Sequence, residues 1–196
     1  MRLPVIALLV LLLSTTAYAD EQEMEEDLGP QPLSGDPGWN VAVLGGAGAV
    51  MLNTAGGQHL WTPELSLQAA VRLRDVASLR TVVDFAWRRD GTSEIYIDNT
   101  YTVLTERLDL TLGTDRAQFV AGAGPCAILT STRLHGPGRN IHANEIYPGV
   151  AYGLGLRWMV RRAPMALDFG GQQRERRHDF RMTFSAGLPL VRSRPR

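Results

Sequence analysis

The chain has 196 residues, no net charge, one cysteine and 20 basic residues, all of them Arg. Its length suits one domain, and a single Cys in an exported chain excludes an internal disulfide framework. The neutral total hides an asymmetry. Residues 20–38 hold seven acids (Asp20, Glu21, Glu23, Glu25, Glu26, Asp27, Asp36) and no base, whereas the chain from Trp39 onward holds 19 Arg against 13 acids, or +6. Exclusive use of Arg favours planar, bidentate pairing wherever a charge is buried.

Residues 1–19 read as a signal peptide. Arg2 is followed by the apolar run Val5–Leu13 and by Ala17-Tyr18-Ala19, an A-x-A cleavage pattern. The apolar run is too short for an ordinary transmembrane helix. Residues 20–38 add Pro30, Pro32, Pro37, Gly29, Gly35 and Gly38 to their acids. Such a stretch buries too little apolar surface to order itself and reads as a disordered leader. A contact between it and the Arg-rich remainder is the weaker alternative.

From residue 39 the sequence divides into eight strand-like segments. The first, about 39–52, alternates Trp39, Val41, Val43, Ala47, Ala49 and Met51. The second, 60–74, puts Trp61, Leu65, Leu67, Ala69, Val71 and Leu73 on one face and Thr62, Glu64, Ser66, Gln68, Arg72 and Arg74 on the other. A period of two is the mark of a strand with unlike faces. The third, about 79–89, sets Leu79, Val83, Phe85 and Trp87 against Arg80, Asp84 and Arg88. In the fourth, about 97–112, Tyr101 and Val103 keep one phase and Leu108, Leu110 and Leu112 the other, so a bulge near Thr105–Arg107 is expected. The fifth, about 117–132, sets Phe119, Ala121, Ala123, Ala127 and Leu129 against Gln118, Gly122, Gly124 and Thr130, with Cys126 inward as a small buried filler. The sixth, about 146–160, places Ile146, Val150, Tyr152, Leu154, Leu156, Trp158 and Val160 opposite Gly149, Gly153, Gly155 and Arg157. The seventh, about 164–173, opposes Met165, Leu167 and Phe169 to Ala166, Asp168 and Gly170. The eighth, about 179–190, opposes Phe180, Met182, Phe184, Ala186 and Leu188 to Arg181, Thr183, Ser185 and Gly187. Residues 191–196 form an Arg-rich tail.

The connections alternate in length. Asp75–Ser78, Gly113–Arg116 and Arg161–Ala163 are tight, whereas Asn53–His59, Asp90–Tyr96, Arg133–Glu145 and Gly171–His178 are longer. Short turns at one end and longer loops at the other, with apolar-out and polar-in strands, describe a transmembrane β-barrel. Three features favour lipid outside. The polar faces carry Gly46, Gly48, Ala70, Ala86, Gly122, Gly124, Gly153, Gly155 and Gly187, small residues that offset large ones inside a narrow eight-stranded ring. Aromatics gather near strand ends, with Trp61, Trp87, Tyr101, Phe169 and Phe180 toward the loops and Trp39, Phe119 and Trp158 toward the turns, as in interfacial girdles. Finally, the polar faces carry Glu64, Arg72, Arg80, Asp84, Arg88, Asp109, Arg157, Asp168 and Arg181. An Arg near the midplane of the lipid face costs roughly 2–4 kcal/mol, while inside the ring the two signs can pair and plug the lumen.

In architecture, residues 39–190 resemble the small eight-stranded outer-membrane barrels of the OmpA and OmpX type. The resemblance implies an all-β, antiparallel up-and-down barrel in the outer membrane of a Gram-negative bacterium. It also implies insertion by the barrel-assembly machinery and periplasmic termini. The sequence departs from that pattern at its end: Phe184 is the last aromatic, and Val191-Arg-Ser-Arg-Pro-Arg196 follows.

For function, the expectation is a monomeric structural or surface-interacting protein, with membrane lipid and lipopolysaccharide as partners and no nucleic-acid partner. No cofactor, metal or catalytic residue is assigned. His135, His142 and Glu145 share a connection but lack specific zinc spacing. Arg133 and Arg139 in the third loop and Arg174, Arg176 and Arg177 in the fourth are candidate contacts to lipopolysaccharide phosphates, which Arg binds bidentately. Alternatives are an outer-membrane enzyme on lipid A or phospholipid, a soluble lipocalin-like carrier of an apolar ligand, and a narrow ion-conducting pore. No His-x-Ser pair supports the enzyme, although a Ser–His–acid site could assemble across loops.

Overall fold

The computed structural model describes residues 39–53, 59–74, 76–114, 117–160, 163–174 and 177–191, with Asn53, His59, Arg139 and Arg177 as backbone only. The expected signal peptide, acidic leader and residues 192–196 of the tail lie outside the described residues. Eight strands follow in order: β1 (Val41–Asn53), β2 (His59–Arg74), β3 (Ala77–Gly91), β4 (Tyr96–Gly113), β5 (Ala117–Gly136), β6 (Arg139–Val160), β7 (Ala163–Arg174) and β8 (Arg177–Val191). Each pairs antiparallel with the next, and β8 returns to β1, closing the ring. Closure removes the unpaired sheet edge that would otherwise invite association.

The strict alternation of side chains decides which residues face in. On β2, Thr62, Glu64, Ser66 and Gln68 are buried, while Trp61, Leu65 and Leu67 are 58–63% exposed. The same split continues through β8, where Arg181, Thr183 and Ser185 are buried between exposed Phe180, Met182 and Phe184. Charge is inside and hydrocarbon outside, the reverse of a soluble carrier barrel. The lipocalin-like alternative required the opposite phase.

The interior is layered. At the loop end Val50, Ala86, Tyr101, Val103, Cys126, Ile128 and Ala151 form one apolar cluster. At the turn end Trp39, Ala42, Leu44, Ala70 and Ala166 form another. Charged side chains fill the level between them. Inward glycines make the room: a Cβ on Gly153 would lie 2.6 Å from Arg107 Nη1, and one on Gly155 2.8 Å from Asp168 Oδ1.

Four expectations are corrected. No bulge interrupts β4, whose pairings with β3 and β5 keep one register throughout. Tyr101 and Val103 point inward with Thr105, Arg107 and Asp109, because the loop-end interior is itself apolar. Tyr101 and Trp39, 5% and 4% exposed, therefore belong to the interior and not to the aromatic girdles. The third loop is a strand hairpin: β5 and β6 pair up to Gly136↔Arg139, joined by Pro137 and Gly138. Gly138 takes φ +77°, and Pro followed by a positive-φ Gly is the chemistry of a type II turn. Likewise the fourth loop shortens, since β7 and β8 pair as far as Arg174↔Arg177.

These long hairpins make the loop end uneven. β3–β4 pairing reaches Gly91↔Tyr96 and β4–β5 reaches Tyr96↔His135. β2–β3 pairing begins only at Glu64↔Ala86, and β6–β7 pairing at Val150↔Gln173. The upper parts of β3 to β6 thus rise as a four-stranded sheet above the rest of the ring.

Candidate functional site

The central charge cluster is built from four strands. Arg80 on β3 places Nε 2.7 Å from Asp109 Oδ2, and its Nη1 donates to Asp168 Oδ1 at 2.7 Å and to Gln68 Oε1 at 3.2 Å. Arg107 on β4 donates from Nε to Asp109 Oδ1 at 2.5 Å and from Nη2 to Asp168 Oδ1 at 3.3 Å. Arg157 on β6 donates from Nη2 to Asp109 Oδ2 at 2.5 Å and from Nη1 to Ser78 Oγ at 3.3 Å. Asp109 is fully buried and touches all three guanidiniums. Three Arg face two Asp here. Toward the loop end, Arg181 pairs with Asp84, and Glu64 accepts a hydrogen bond from Thr183 Oγ1 at 3.3 Å. That group carries one Arg and two acids, so the two clusters together balance. Bringing both signs into one ring offsets the large desolvation cost of each.

Most of the expected network is assembled there: Glu64, Arg80, Asp84, Asp109, Arg157, Asp168 and Arg181. Two expected members are elsewhere. Arg88 sits at the loop-end rim, bound to Asp90 at 2.7 Å and partly exposed. Arg72 lies at the turn-end mouth. One member was missed: Arg107, because the expected bulge removed it from the inward phase. The apolar residues Tyr101 and Val103 hid the true register.

The loop-end mouth holds a second polar group. Tyr101 Oη donates to Asp179 Oδ2 at 2.7 Å, with Gln172 Oε1 at 3.2 Å. The Arg174 guanidinium lies 5.8 Å from the Tyr101 ring and 5.0 Å from the Tyr147 ring, with Nε 3.9 Å from Asp179. Arg174 therefore turns toward the mouth of the ring. Arg133 is exposed on the raised sheet. The side chains of Arg139, Arg176 and Arg177 lie outside the described residues.

The raised sheet carries a mixed row on its outer face. Arg89 binds Asp98 through Nε at 2.7 Å and Nη2 at 3.1 Å, and its guanidinium lies 4.4 Å from the Tyr96 ring centre. His135 stacks on Tyr96 at 4.5 Å, and its Nε2 is 3.7 Å from Asp98. The Arg89 hydrogen bonds hold the Asp98 carboxyl below its ordinary range. Beside this row, Ser131 Oγ is 3.1 Å from His142 Nε2. No carboxylate pairs with His142 among the described residues, so the third member of a hydrolytic triad is not present there. No group of three metal-ligating side chains occurs among the described residues.

No protein-family model and no curated protein matches the sequence. Solved structures do match the fold. Ail, the attachment invasion locus protein of Yersinia pestis, is 11% identical with a TM-score of 0.60, over 79% of this chain and 97% of that one. Neisserial surface protein A is 9% identical with a TM-score of 0.60, over 77% and 97%. The N-terminal β-barrel domain of Pseudomonas aeruginosa OprF is 10% identical with a TM-score of 0.55, over 76% and 97%. The fold of this chain is that of the small eight-stranded outer-membrane β-barrels.

Proposed function

We propose that this protein is a monomeric outer-membrane barrel, closed to permeation, with a structural and surface-interacting role. The observation that carries the reading is the pairing of an apolar exterior with a charged, filled interior. Leu65, Leu67, Leu110, Leu112, Leu154 and Leu188 are each more than half exposed, an arrangement that only lipid or a partner stabilises. The internal ion pairs between two apolar clusters support the reading of a closed lumen. Chain termini and tight turns would face the periplasm, as the short-turn side of such barrels does. The raised β3–β6 sheet would then stand outside the cell and supply the interacting surface. Arg89 and Arg133 on its outer face lie just beyond Trp87, at the level where lipopolysaccharide phosphates would meet them. Insertion by the barrel-assembly machinery belongs to the same proposal.

Cell fractionation with a heat-modifiability gel tests it. A protein in the outer-membrane fraction whose mobility changes on boiling is expected, together with no steady conductance in a planar bilayer. A protein in the soluble fraction without a mobility change would overturn it. The enzyme reading gains only the Ser131–His142 contact, and an unchanged lipid A mass spectrum on expression would remove it.

A further inference from the structure

The polar group at the loop-end mouth is one that the proposed role does not use. Tyr101 stands on β4 and Asp179 on β8, four strands apart in a ring of eight. They therefore face each other across the width of the lumen, and the hydrogen bond from Tyr101 Oη to Asp179 Oδ2 is a strap across it. Gln172 on β7 meets the same hydroxyl, and all three side chains are buried. One cation lies a step nearer the loop end. The Arg174 guanidinium, from the last residue of β7, sits 5.0 Å from the Tyr147 ring on β6 and 5.8 Å from the Tyr101 ring, with Nε 3.9 Å from Asp179. Tyr147 Oη in turn donates to Glu145. Two aromatic rings and a carboxylate thus gather around a single guanidinium.

Aromatic faces attract cations, most strongly where water is excluded, and the planar guanidinium also stacks on rings as an ammonium cannot. These contacts and charge are what hold Arg174. Its Nε is buried yet makes no hydrogen bond among the described residues, and Gln172 Nε2 beside it is likewise unbonded. A cation held by ring faces and charge, without a hydrogen bond at Nε, is exchangeable for another of the same shape. We propose that the loop-end mouth is a binding seat for a guanidinium group, that Arg174 fills it as an internal ligand, and that the filled seat keeps the strap closed. Cys126 lies beneath. Thr130 is opposite Tyr101, Ile128 opposite Val103 and Cys126 opposite Thr105. The thiol is therefore two inward positions below the strap, in the same apolar cluster as Tyr101.

Cys126 is the only cysteine of the chain and reports on the seat. The whole protein is held in zwitterionic micelles and treated with a water-soluble maleimide, and labelling is followed by mass spectrometry. Labelling of the folded wild-type chain should be slow. In R174A it should run about tenfold faster or more, because the cation–π and charge contacts that hold the strap are gone. Millimolar methylguanidinium should return R174A saturably toward the wild-type rate, and methylammonium at the same concentration should not. Adding Y147L to R174A should weaken that protection. The heat-modifiability gel verifies that each variant is folded, and R174K, which keeps the charge and loses the planar fork, serves if R174A is not. Unchanged labelling in the folded Arg174 variant would overturn the proposal. So would equal protection by methylammonium, or no protection by methylguanidinium.

Discussion

Replacing Asp109 by Asn is the most demanding perturbation of the interior. Its carboxylate meets Arg107 Nε at 2.5 Å, Arg157 Nη2 at 2.5 Å and Arg80 Nε at 2.7 Å. The substitution keeps the volume and leaves three buried guanidiniums facing Asp168 alone. Removing one partner from a buried ion pair costs about 3–5 kcal/mol. With a urea slope of about 1–3 kcal/mol/M, the unfolding midpoint should fall by a molar unit or more. D90N is the matched control. Its partner Arg88 is 28% exposed and Asp90 itself 42%, and exposed pairs contribute about 0–1 kcal/mol. Reversible urea unfolding in micelles, followed by tryptophan fluorescence and by the folded band on unboiled gels, measures both. Adding R157Q to D109N should recover part of the loss, since the two share one contact. A D109N protein within about 0.5 kcal/mol of wild type would refute the reasoning. It would mean that water, and not Asp109, solvates the guanidiniums.

Four further outcomes are expected. L67R places a charge at a position 58% exposed near the middle of β2 and should cost roughly 2–4 kcal/mol by the same unfolding assay in lipid. G153V should cost about 1–3 kcal/mol, because its Cβ meets Arg107 Nη1 at 2.6 Å and the Phe169 carbonyl oxygen at 2.9 Å, and that backbone oxygen cannot retreat. G45V, with open space around the Cβ position, should leave the midpoint unchanged. Asp98 should titrate below the ordinary 3.8 by carboxyl NMR, and R89Q should return it upward. A depressed folded pKa means that the Arg89–Asp98 pairing contributes fully above pH 3.8 and is lost as pH falls through the lowered value.

The barrel was legible in the sequence because an apolar outer face and a polar inner face impose a period of two on each strand, and β2, β8 and residues 146–160 of β6 keep it without interruption. Most of the charge network was legible for the same reason: an Arg or Asp in the polar phase has only the interior to enter. The readings failed where an apolar residue also faces inward. Trp39, Tyr101 and Val103 line the interior, so hydrophobicity alone put them on the wrong side and invented a bulge that concealed Arg107. The loop-end hairpins failed for another reason. Arg133, His135, Asn140 and His142 have the polar composition of a loop, yet cross-strand pairing continues through them to Pro137-Gly138. Where the hairpins rise above the rest of the ring, neither face needs to be apolar, and the period disappears while the strand persists.

The central claim is the direction of the two faces, and single-cysteine scanning along β2 tests it most directly. In a C126S background, cysteines at positions 65, 66, 67 and 68 would carry a small fluorophore, with the protein in bilayers containing a quencher-bearing lipid. The account predicts strong lipid quenching at 65 and 67 and little at 66 and 68. Quenching at 66 and 68 with none at 65 and 67 would put the charged face toward lipid and contradict it.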